Sequence, residues 1–147
     1  MKKIFNPGLV GLVTLIALYS SCAKDTSSPS SDNRSKFLGT WNVTETYNKA
    51  GSPGWLMPLL TYQVTVTADP DSSTAVFISN FANAGANVKA HAETSGNNIY
   101  ISPAKQVLST GWKVDGSGTI TGTTPINWIY TIDNGADIFY ATAVYSK

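Results

Sequence analysis

The chain holds one histidine and one cysteine in 147 residues, and that scarcity decides most of the chemistry open to it. A hydrolase needs a nucleophile beside a base, and His91 is the sole imidazole available. It stands between Lys89 and Glu93 at two-residue spacing, on the polar side of an alternating segment, where a solvated surface role is expected. Glycoside cleavage needs two converging carboxylates with separated pKa values. Asp69, Asp71, Asp133 and Asp137 lie instead in or beside turns, where aspartate is locally favoured. Glu45 differs. It shares alternation parity with Trp41, Val43 and Tyr47, so it is expected to face inward, where a carboxyl orients a ligand or finds an internal partner. No catalytic residue emerges, and no enzyme activity is expected.

Metal and cofactor chemistry fare no better. A single His and a single Cys cannot build an all-protein zinc site or a disulfide framework. Asp115-Gly116-Ser117-Gly118 and Asp133-Asn134-Gly135-Ala136-Asp137 lack the alternating acids and terminal Glu of a calcium loop. Gly116 and Gly118 also lack the strand-to-helix setting of a phosphate loop. Neither a metal nor a cofactor is therefore expected. Ten basic and nine acidic side chains leave a formal charge of +1, too little to neutralise a nucleic-acid backbone.

The remaining candidates are apolar. Trp55-Leu56-Met57-Pro58-Leu59-Leu60 puts five large apolar side chains in a stretch that follows a Gly- and Pro-containing turn. Burying each is worth roughly 1.5–3 kcal/mol, so leaving all of them wet is unfavourable. Trp55, Leu56, Met57 and Leu59 must plug an end of the fold, line a ligand entrance or meet a partner. Tyr100, Trp112 and Trp128 extend such a surface.

These side chains need strands to position them. Alternating or β-branched runs cover Thr40–Tyr47, Tyr62–Ala68, Ala75–Phe81, Val88–Glu93, Ile99–Ile101, Ile126–Ile132 and Ile138–Tyr145. A short strand is expected at Gln106–Leu108, and another from Trp112 to Thr121 broken by Gly116 and Gly118. Asp69-Pro70-Asp71, Ser95-Gly96-Asn97-Asn98 and Asp133-Asn134-Gly135 supply turns. No segment sustains a helical apolar period, so the domain is all-β. About eight short strands joined by short turns leave two unpaired sheet edges unless the sheet closes. An antiparallel up-and-down barrel over residues 37–147 is expected, with a β-sandwich as the alternative.

The N-terminus carries an address. Met1-Lys2-Lys3 precedes an apolar run from Leu9 to Tyr19, shorter than the about 20 residues of a membrane span and suited to a secretory signal. Leu18-Tyr19-Ser20-Ser21-Cys22 resembles the lipobox of bacterial lipoproteins, with Tyr19 departing from the usual small or aliphatic residue. The resemblance implies removal of residues 1–21 and lipid attachment at Cys22, which anchors the chain to a membrane. Ala23 in place of a retaining Asp implies the outer membrane, and Lys24-Asp25 resembles a surface-export signal. Residues 22–36 then form a lipidated, Ser-rich tether, spanning roughly 20 Å as a flexible coil. Gly39-Thr40-Trp41, with Phe37–Glu45 and Ile78–Phe81, is similar to small lipocalin-like lipoproteins of gram-negative bacteria. That resemblance implies a lipocalin-like barrel with Trp41 as a structural cap. Two functions remain open: a lipid-anchored carrier of a small apolar or glycan ligand, or an envelope module that binds another envelope protein and has no small-molecule site.

Overall fold

The computed structural model describes residues 32–147, apart from the side chains of 102–105. The signal segment, Cys22 and the tether up to residue 31 lie outside the described residues. Alternation becomes eight antiparallel strands: β1 (Gly39–Lys49), β2 (Leu60–Ala68), β3 (Ala75–Ser79), β4 (Lys89–Ser95), β5 (Asn98–Val107), β6 (Lys113–Ile120), β7 (Ile126–Asp133) and β8 (Ile138–Ser146). Each pairs with the next, and β8 returns to β1, with Glu45 opposite Ala143 and Tyr47 opposite Ala141. That last ladder closes the barrel, removes both edges, and excludes the sandwich. No helix among the described residues is long and apolar enough to cross a membrane.

Three elements differ from their sequence-based expectations, each for a local reason. β3 ends at Ser79 rather than Phe81, because Asn80 turns the backbone left-handed at φ 62°. Phe81–Asn83 then forms a 3-10 turn instead of continuing the ladder. The two short runs around Ile101 and Gln106 are one strand, β5, with a register shift between them. β6 runs unbroken through its glycines, because they stand opposite large rings. Gly118 pairs with Trp128, and a methyl placed there would lie 2.7 Å from the indole. Gly116 pairs with Tyr130, and a methyl there would lie 2.3 Å from its Cβ.

The two poles of the barrel are unlike. At one, Phe37 and Trp41 are fully buried, and the Trp41 indole donates to the Phe37 carbonyl at 2.7 Å. Lys147 Nζ sits 4.0 Å from the centre of the Trp41 ring and donates to the Leu38 carbonyl, which closes this pole. Arg34 bonds the carbonyls of Asp69, Ser72 and Ala75, fastening the incoming chain to the β2–β3 turn. The end of the expected tether, residues 32–36, is thus hydrogen-bonded to the barrel. The other pole carries the 50–59 loop, the 3-10 turn and the loops after β5 and β7, and it is open.

Candidate functional site

The open pole holds a pocket of about 300 Å³ lined by Tyr47, Met57, Leu60, Ala82, Asn83, Trp112, Ile132, Asn134 and Phe139. β1 delivers Tyr47, β7 Ile132 and β8 Phe139, while loops bring Met57, Trp112 and Asn134. The rings pack on each other. Tyr47 and Phe139 meet edge-on at 6.4 Å, and Trp55 leans on Phe139 at 5.6 Å from outside the pocket. The apolar loop is pinned beside the end of β1 by a bridge between Asn48 and Leu56 and by the Met57 N–H donating to the Tyr47 carbonyl at 3.1 Å. Such a mouth, mostly apolar with a few polar groups, suits a small molecule.

Below the mouth, the largely apolar interior holds one polar cluster. Glu45 is fully buried, and the hydroxyls of Tyr47 and Tyr62 both donate to its Oε2, at 2.5 and 2.8 Å. Burial pushes the Glu45 carboxyl up to about 7, against the pull of those two hydrogen bonds. The same burial, with the Glu45 charge added, raises the Tyr47 and Tyr62 phenols far above their ordinary range. Tyr145, also fully buried, is raised for the same first reason. This interior holds a carboxyl that titrates near neutrality beside phenols that stay protonated.

Among solved structures, a redesigned β-barrel, b11L5F_LGL, is similar at 14% identity, covering 79% of this chain and 95% of its own, with a TM-score of 0.53. A second redesigned barrel, mFAP1 bound to DFHBI, gives 14% identity over 80% of this chain and all of its own, with a TM-score of 0.50. The likeness is one of fold. No protein-family profile and no curated protein sequence matches the chain.

Set against this geometry, the residues singled out from sequence fall in three places. Met57 and Trp112 line the mouth, with Trp55 stacked on its rim. Glu45 and Trp128 face the interior, 0% and 1% exposed. Leu56, Leu59 and Tyr100 are exposed. Leu59 lies with Ile129 and Val144 along an exterior groove over β1, β7 and β8, and Tyr100 stands on the outer face of β5, away from the mouth. Cys22 lies outside the described residues.

Tyr47, Tyr62 and Phe139 belong to the site without having been selected. Their alternation was visible in the sequence, but their convergence depends on cross-strand register. His91 is half-buried rather than simply solvated. Its Nε2 meets Asp69 Oδ2 at 2.9 Å and its ring packs 5.2 Å from Phe77, near the closed pole. Among the described residues, no group of three His, Cys, Asp or Glu is placed to hold a metal ion.

Proposed function

We propose that this chain is a lipid-anchored β-barrel carrier, held on the outer membrane through Cys22, whose open mouth takes a small, mainly apolar aromatic molecule. One observation carries the binding half of the reading: the pocket of about 300 Å³, aromatic-walled and open at one pole of an otherwise filled barrel. Its lining, mostly apolar with few polar side chains, favours an apolar aromatic ligand over a glycan, whose hydroxyls would be left without partners. The redesigned barrel mFAP1, which is bound to DFHBI, is a protein of this fold holding a small molecule, and the reading is in keeping with it. Binding is favoured over turnover because the one imidazole is paired with Asp69 near the pole opposite the mouth. The anchoring half rests on Cys22 and the lipobox-like residues before it. The exterior residues Leu59, Ile129 and Val144 speak for the interaction module instead, but that reading gives the mouth pocket no purpose.

The test has two arms. N-phenyl-1-naphthylamine added to the full chain is expected to bind saturably and to take energy from Trp112, and Met57→Arg, which places a charge in the mouth, is expected to abolish this. Absence of saturable binding refutes the carrier. Metabolic labelling with a fatty-acid probe is expected for the native chain and lost in Cys22→Ala, and equal labelling of the two refutes the anchor.

A further inference from the structure

Four polar atoms inside the barrel have no hydrogen-bond partner among the described residues: Glu45 Oε1, Trp128 Nε1 and the hydroxyls of Tyr130 and Tyr145. Their side chains are at most 1% exposed. A buried polar atom without a partner has given up its water bond for nothing, and native interiors rarely tolerate it. These four are neighbours. Glu45 and Trp128 flank the small side chain of Ala143 across three adjacent strands, and Tyr47 and Tyr130 flank Ala141 in the same way. The Trp128 ring is 5.6 Å from that of Tyr145 and 6.5 Å from that of Tyr130.

One ring separates this group from the mouth. Phe81 is fully buried, 4.7 Å from Tyr130 and 5.6 Å from Trp128. It hangs from the 3-10 turn whose Ala82 and Asn83 line the mouth pocket. Asn80, Ala82 and Asn83 all hold positive φ, between 54° and 62°, a conformation unfavourable for alanine. Asn80 and Asn83 suit that conformation, so Ala82 is the strained position; Asn80 fastens the turn by donating to the Gln63 carbonyl at 2.8 Å and accepting from the Gly85 N–H at 2.9 Å.

We propose that Phe81 occupies the place of a ligand ring, and that a deeper seat beneath the 3-10 turn receives a neutral aromatic molecule bearing a hydroxyl group. The hydroxyl would bond the Trp128 indole N–H, with the unpaired Tyr130, Tyr145 and Glu45 atoms as its further candidate partners, while the rest of the molecule reaches the mouth. This rests on the carrier reading and names its ligand class. The indole N–H only donates and the phenols donate or accept, while the carboxyl does either according to its proton. A hydroxyl, which also does both, matches that mixture. An anion would stand against the Glu45 carboxyl whenever it ionises, whereas a neutral hydroxyl meets that carboxyl in either protonation state.

The experiment titrates the full chain, labelled with nitrogen-15, with 2-naphthol, naphthalene and 2-naphthoate, reading the indole N–H resonances of its four tryptophans. The Trp128 signal is identified by its loss in Trp128→Phe. 2-Naphthol is expected to move that signal and to bind about tenfold more tightly than the other two, the worth of one hydrogen bond to a group otherwise left unpaired. Phe81→Ala is expected to raise 2-naphthol affinity, and Phe81→Leu, a milder change, to do so less; the second variant answers if the first does not fold. Equal binding of 2-naphthol and naphthalene with an unmoved Trp128 signal overturns the deeper seat and leaves the mouth carrier standing. Failure of all three probes removes both. Weaker 2-naphthol binding in the folded Phe81 variants overturns the proposal as well, since Phe81 would then be supporting the site.

Discussion

Glu45 shows how one buried carboxyl ties stability to pH. Burial pushes it up to about 7 from an ordinary value of 4.5. Between those values the folded chain keeps a proton that the unfolded chain has released. Stability therefore falls as pH rises from about 4.5 to about 7 and levels off above, a loss of roughly 3 kcal/mol. Glu45→Gln removes the titration, so its thermal midpoint should fall less than the native one over that interval, and parallel curves would contradict the assignment. Asp69 works in the opposite sense. The Asp71 N–H, and then His91, hold its carboxyl below the ordinary value, so its contribution is present at neutral pH and lost as acid protonates it. The inward direction of Glu45 was legible from alternation alone. Its partner Tyr62 was not, because that contact follows from the pairing of Tyr62 with Val43.

At the scale of elements, β6 and the 3-10 turn mark where side-chain demands override local propensity. Glycine weakens a strand, and two glycines spaced by one residue read as a break. They are retained in β6 because Trp128 and Tyr130 of the neighbouring strand fill the space their side chains would need. Gly118→Ala is expected to cost about 1–3 kcal/mol by overpacking. Urea denaturation measures it, and an unchanged midpoint would mean that the indole can shift at no cost. The 3-10 turn is the reverse case. Ala75–Phe81 has strand composition, yet Asn80 leaves the β region and carries Phe81 into the core, where its ring meets Tyr130 and Trp128. Asn80, Asn83 and Gly85 are turn formers, but the residue types do not announce where Phe81 goes, since the reward for burying its ring lies on β7.

For the whole molecule, closure is the decisive event. β1 and β8 stand at opposite ends of the described sequence, and each contributes one side of the ladder that leaves no free edge. Such distant pairing makes closure depend on β8, the strand farthest in sequence from β1, and is expected to form slowly. Removal of residues 138–147 should expose β1 and β7 as edges together with the aromatic interior. The truncated chain is expected to aggregate, and size-exclusion chromatography showing a folded monomer would contradict this. The same closure makes the poles unequal, because Phe37, Trp41 and Lys147 fill one pole while the longer loops leave the other open.

By itself the sequence determined the all-β class, nearly every strand, the hairpin turns, the inward parity of Glu45 and the expectation of a barrel. These follow from local periodicity and turn chemistry, which each segment carries within itself. Only the tertiary structure decided barrel over sandwich, the open mouth, the phenols around Glu45, and the unpaired atoms beneath Phe81. Each of these depends on register between strands distant in sequence, and on which large ring claims the space left by a glycine or an alanine on the strand beside it.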